Sequence, residues 1–137
     1  MKLKWSAIVF GALIDITLSV ALSFFVLIIY ASLLAGEGLP DAEIQLKLSD
    51  PLSSFHFALI LMVIGAIADG VAGYLTAKFA GYLEFWHSLF MIMTVLFLHT
   101  ALRTETMIPM WYEISALILG IISALYGAWF FKKSKVS

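Results

Sequence analysis

The 137-residue chain has no cysteine, which excludes disulfide staples, thiol catalysis and thiolate metal sites together. Charge is scarce too: Asp, Glu, Lys and Arg make up 12% of the residues, about half their share in an ordinary soluble domain. Neither sign prevails, since the formal net charge is -1, so there is no basic footprint for nucleic acid. Catalytic signatures are lacking as well. There is no His-Glu-x-x-His, no Gly-x-Ser-x-Gly, no phosphate-binding glycine loop and no dinucleotide fingerprint. The expectation is a protein that is not an enzyme and takes no cofactor. No set of side chains has the three or four convergent ligands of a metal site.

What the chain has in abundance is apolar sequence, with 63% hydrophobic residues and a mean hydropathy of +1.04. That excludes both a soluble globular domain and a disordered chain, and the length suits one domain. Four long apolar runs occupy 5–35, 54–77, 85–102 and 108–131. Each reaches or nearly reaches the ~20 residues that carry a helix across a ~30 Å hydrocarbon core. The runs are continuous rather than alternating, as spanning helices require and barrel strands do not. The first run is far longer than the ~7–15 residue core of a signal peptide, so it is read as a retained helix. The fold expected is all-α, a single integral-membrane four-helix bundle.

Six basic residues fall on one side of these spans: Lys2, Lys4, Lys78, Lys132, Lys133 and Lys135. Lys47 and Arg103 fall on the other, among Glu37, Asp41, Glu43, Asp50 and Glu105. The positive-inside rule then places both termini in the cytoplasm and the segment 36–53 outside. Trp5, Trp86, Trp111 and Trp129 lie near span ends, where amphipathic rings settle. Within the outer segment, 41–48 fits a short amphipathic helix, while Ile44, Leu46 and Leu48 also alternate as in a strand. Asp50-Pro51 reads as an N-cap followed by a first-turn proline.

Helices in lipid touch closely only through small residues. At 100° per residue, Gly11, Ala12, Asp15, Ser19 and Ser23 share one face of the first span. Gly65, Ala66, Asp69, Ala72, Gly73, Thr76 and Ala77 share a face of the second. Gly120, Ser123, Ala124 and Gly127 share one of the fourth. Gly11, Gly65, Gly73, Gly120 and Gly127 are therefore the expected packing glycines, and the second span is expected to lie most centrally.

Two acids sit inside the spans. Asp15 lies ten residues after Trp5 and Asp69 nine before Lys78, which is ~15 Å and ~14 Å along a helix. Both therefore reach the middle of a ~30 Å core at matching depth. A carboxylate there costs at least ~2.5–3.5 kcal/mol, and no lysine or arginine shares the level. The pair is expected to approach to hydrogen-bonding distance and share a proton, or to hold a cation. His99, Arg103 and Glu113 form a candidate polar cluster at the outer end, while His56 and His87 are expected at the membrane interfaces.

Trp5, Gly11 and Asp15, with the segment Ala72-Gly-Tyr-Leu-Thr-Ala-Lys-Phe-Ala80 and then His87, resemble a pattern in small uncharacterised bacterial four-span inner-membrane proteins. Those proteins carry Trp, Gly and Asp in the first helix and end the second on Gly-Gly-Tyr-x-Ala-x-x-x-Ala. Here Ala72 replaces the first of the paired glycines, and Thr76-Ala77 shifts the alanine by one position. The resemblance spans about two-thirds of the chain. It implies a bacterial inner-membrane location and carries no activity. Two functions follow as expectations: a non-enzymatic assembly or accessory protein that packs against a second copy or a partner membrane protein, or a small proton- or cation-coupled transporter or channel built on Asp15 and Asp69.

Overall fold

The computed structural model describes residues 2–102 and 108–135. Five α-helices follow one another: α1 (Trp5–Gly36), α2 (Asp41–Ser49), α3 (Phe55–Ala80), α4 (Glu84–Ala101) and α5 (Met110–Ser134), with a one-turn 3-10 helix, Pro51–Ser53, ahead of α3. No strand occurs among the described residues. Three of the helices, α1, α3 and α5, are long and apolar enough to cross a membrane, so this is a membrane protein. At 1.5 Å per residue they measure about 48, 39 and 38 Å. The fourth expected span forms α4 in its place, at 18 residues.

Each boundary has a local cause. Gly81 adopts φ 77° and returns its N–H to the Ala77 carbonyl, ending α3 with the left-handed residue that glycine supplies most cheaply. Leu83 also lies in the left-handed region, at φ 47°, a strained setting for a side-chain-bearing residue. Ser54 caps α3, its hydroxyl accepting the Phe57 N–H at 3.5 Å. Asp50, expected to cap the long helix, instead precedes only the 3-10 turn and makes no side-chain cap bond. The expected Asp50-Pro51 start is thus displaced by one short turn, because Pro51 opens the 3-10 turn and Ser54 supplies the hydroxyl for α3. The segment left open between helix and strand is helical. Asp41 and Glu43 occupy the first turn of α2 and Lys47 its last, which complements the helix dipole.

Contacts between residues set the helix directions. Gly11 faces Thr76, Phe10 meets Phe79 edge-on at 4.5 Å, and Tyr30 stacks on Phe57 at 4.3 Å. Position rises on one helix as it falls on the other, so α1 and α3 are antiparallel. Gly73 faces Ala124 and Asp69 faces Gly120, rising together, so α3 and α5 are parallel. α3 packs on α1, α4 and α5, and α4 packs on the same set of neighbours, whereas α1 and α5 do not meet among the described residues. The bundle is therefore a diamond in section, with α3 and α4 on its short diagonal.

The interior is built mainly from alanine and glycine. Ala58, Ala68, Ala72, Ala77, Ala124 and Ala128 are fully enclosed, while Phe24, Phe25, Val63, Ile67, Phe97 and Ile122 lie outward. Large apolar side chains outside and small ones inside is the arrangement expected where lipid supplies no hydrophobic push and close backbone approach must carry the packing. The α3–α5 seam is the tightest. A Cβ on Gly73 would collide with the backbone of Ala124, and one on Gly127 with the carbonyl of Gly70. Gly11 likewise has no room beside Thr76 and Met91. Gly65, expected among the packing glycines, does not belong there: nothing lies within 4 Å of where its Cβ would stand. Nearer the start of α3, its contact with α1 is made by the Tyr30–Phe57 ring stack. Gly70 takes the seam position instead.

One end of the bundle gathers both chain ends. The Lys4 amide N–H donates to His87 Nε2 at 2.9 Å, the Lys4 ammonium to the Phe79 carbonyl at 2.8 Å, and the Tyr82 hydroxyl to the Lys2 carbonyl at 3.1 Å. Lys135 donates to the Gly81 carbonyl at 2.9 Å and pairs with Glu84 at 3.7 Å. The start of α1, the α3–α4 turn and the end of α5 are thereby tied together.

Candidate functional site

The site grows from the small-residue faces. With Gly11 pressed against Thr76 and Met91, α1 comes close to α3, and one turn further on Asp15 meets Asp69. Their carboxyl groups face each other closely enough to interact. Asp15 is 2% exposed and its Oδ1 is buried with no hydrogen-bond partner among the described residues. Asp69 is only partly buried. Its Oδ2 lies against α5, 2.8 Å from where a Cβ on Gly120 would stand, with Ile92 of α4 beside the same point. Asp69 thus bridges two helices that do not touch, reaching Asp15 of α1 with one part of its carboxyl and Gly120 of α5 with the other.

A carboxylate has only acceptor oxygens, so a bond between two carboxyl groups requires a proton on one of them. Two facing carboxyls can share one proton without further ligands. Among the described residues no group of three or more His, Asp and Glu side chains gathers as metal ligands would, and two carboxyls alone fall short of a metal's usual set.

His99 and Glu113 are exposed, at the end of α4 and the first turn of α5. Arg103, the third member of that cluster, lies outside the described residues. His56 is exposed. His87, expected at the interface, is fully buried. Its Nε2 accepts the Lys4 N–H at 2.9 Å, so the ring proton sits on Nδ1 and is donated to the Leu83 carbonyl at 3.0 Å. The burial follows from its position at the turn, where the chain start folds over the ring.

Three neighbours complete this interior: Ser88, which no motif announces, and Thr76 and Gly120, which the sequence places on small-residue faces. Ser88 donates to the Gly73 carbonyl at 2.9 Å, and Thr76 returns its hydroxyl to the Ala72 carbonyl at 2.7 Å. Gly120 was visible as a small residue, but its place beneath an aspartate was not. The spacing of His87, Ser88, Met91 and Ile92, all buried, marks the inward stripe of α4 and is the one signal that pointed to Ser88.

On the outer surface α3 and α5 leave an apolar groove of about 650 Å³. Gly70, Ser123 and Gly127 line it together with Tyr74, Tyr126 and Phe130.

The fold and this interior define an all-helical membrane protein with an enclosed aspartate, Asp15, facing a partly buried one, Asp69. Comparison with known protein families, curated proteins and solved structures finds no match to the chain.

Proposed function

We propose that the chain is a four-span protein of a bacterial inner membrane, with both termini cytoplasmic, that acts without catalysis as an assembly or accessory subunit. The fourth span is α4, whose 18 residues cover ~27 Å, close to the ~30 Å core. The lysine asymmetry supports the orientation, because six of the eight basic residues fall near the end that carries both termini. The observation that carries the functional reading is the groove between α3 and α5. Intramolecular packing leaves Ala66, Gly70 and Ser123 partly exposed there, and small residues on a lipid-facing surface are what a partner helix uses to approach. Filling it tests the reading. Ala66→Phe with Ser123→Phe places two rings in the groove and leaves the Gly73–Ala124 and Gly70–Gly127 contacts untouched. In-membrane crosslinking of the wild-type chain is expected to give a discrete adduct that this variant loses while its thermal stability is kept. A wild-type chain that yields no adduct in native membranes overturns the reading.

A second reading is a small proton- or cation-coupled transporter or channel, favoured by the facing Asp15–Asp69 pair. Ionisable residues at such depth are a functional hypothesis by default. Proton flux into vesicles containing the chain, abolished in Asp15→Asn with Asp69→Asn, tests it; equal flux in the two proteins overturns it.

A further inference from the structure

We infer that the groove between α3 and α5 is a binding site for one anionic phospholipid, which lays an acyl chain along the groove and sets its phosphate beside Lys78. This goes beyond the assembly reading and takes from it only the placement of the helices in the membrane. Lipid fills the groove of a chain with no partner seated, and a partner's helix displaces it.

The groove has the size, walls and depth for a lipid tail. Its volume of about 650 Å³ falls within the ~300–1,000 Å³ of small-ligand sites. Val71, Tyr74, Ile122 and Phe130 give it apolar walls, and Gly70 and Ser123 leave it room between them. It follows α3 from Ala66 to Leu75 and α5 from Ile122 to Phe130, about 14 Å and 12 Å along the two axes. One leaflet of a ~30 Å core is ~15 Å deep. Gly120 faces Asp69, whose level is the middle of the membrane in that placement. The α5 side of the groove then runs from about 3 Å to about 15 Å below the middle, toward the lysine-rich end. A tail hanging from that surface occupies this range.

Charge selects the headgroup. Lys2, Lys4, Lys78, Lys132, Lys133 and Lys135 gather at this end, and Glu84 is the one acidic side chain with them. Lys135 already pairs Glu84 at 3.7 Å. Lys4 donates to the Phe79 carbonyl, and Lys132 and Lys133 stand over the rings of Phe85 and Trp129 at 5.4 Å and 5.2 Å. Lys78 is exposed and has no ion pair among the described residues. It follows Val71 by seven residues and Tyr74 by four, so helical periodicity puts it on the groove face of α3, about 6 Å past Tyr74 toward the surface. Lys133 follows Tyr126 by seven and takes the same place on α5. The chain therefore offers an ammonium at the mouth of an apolar groove and no carboxylate to neutralise it. A phospholipid phosphate supplies the missing charge, as at other basic sites between spanning helices on the cytoplasmic side. Its tail supplies what a free phosphate lacks.

The test is photolabelling of the full chain in phosphatidylcholine vesicles. One sample contains a trace of phosphatidylglycerol with a diazirine on its acyl chain, the other phosphatidylcholine with the same modified chain, and labelled residues are mapped by peptide mass spectrometry. The phosphatidylglycerol probe is expected to label the groove, Tyr74 and Tyr126 included, in preference to the other probe by about fivefold for each lysine engaged. Phe24 and Phe25, exposed on α1 away from the groove, should take both probes equally. Lys78→Gln should lower the preference by about fivefold and Lys78→Arg keep it. Lys78 is exposed, so these variants fold, and the comparison of the two probes needs no variant. Millimolar glycerol phosphate, which has the headgroup chemistry without the tail, should leave the labelling unchanged. Equal labelling of the groove by both probes, labelling no stronger there than on α1, a preference unaffected by Lys78→Gln, or loss of labelling to glycerol phosphate would overturn the proposal. Preferential labelling in a chain that yields no protein crosslink would leave the lipid site standing and remove the assembly reading.

Discussion

Gly127 of α5 lies directly against the backbone carbonyl of Gly70 on α3, with no room for even one methyl group between the helices. The Gly73–Ala124 contact one turn away is equally close, so these two points set the α3–α5 distance for the whole bundle.

Leucine at Gly73 or Gly127 must therefore push backbone against backbone, whereas leucine at Gly65 enters open space. Overpacking typically costs ~1–3 kcal/mol and more where the backbone has to move. Thermal unfolding in mild detergent is expected to show Gly73→Leu and Gly127→Leu strongly destabilised and Gly65→Leu close to wild type. Equal losses at all three positions would contradict the seam described here.

Asparagine at Asp15 and Asp69 keeps a donor and an acceptor between α1 and α3. That double variant is expected to remain folded, with an unfolding midpoint in mild detergent close to that of the wild-type chain, whereas Asp15→Leu, which leaves the Asp69 carboxyl without a polar partner on α1, should unfold earlier.

His87 anchors the chain start by accepting the Lys4 N–H at 2.9 Å. Removing the ring leaves that N–H without its acceptor, a loss of ~1–3 kcal/mol before any cavity is counted. His87→Ala should expose the first residues to protease ahead of the rest of the bundle. Nitrogen-15 spectra of the wild-type ring are expected to show the proton on Nδ1 and a bare Nε2.

Orientation is checked by single cysteines in a chain that has none of its own. Lys2→Cys and Tyr82→Cys should react with an impermeant maleimide only from the cytoplasmic face, and Asp41→Cys only from the opposite one. Labelling of all three from one face would overturn the four-span arrangement.

Much of the architecture could be read from the chain alone. Long apolar runs dictate helices because lipid offers no partner for a free backbone amide, and α1, α3 and α5 stand where the runs lie. Composition also dictates that glycine and alanine turn inward, since no other face permits close approach. Sequence periodicity does not say which glycine finds a neighbour. Gly65 and Gly73 lie on the same side of α3, yet Gly73 meets Ala124 while Gly65 faces open space. That difference comes from the path of α5, which brings Ala124, 51 positions along the chain, against Gly73 and no residue against Gly65. Residue counting at 1.5 Å each and the shared small-residue faces led to the expectation that Asp15 and Asp69 meet. The seat of Asp69 on Gly120 was not legible, because it depends on how three helices rotate about their own axes. The burial of His87 was likewise decided by a chain end folding over it. Periodicity determines which residues share a face; only the packed bundle determines what that face meets, because rotation and spacing are set by contacts between segments distant in sequence.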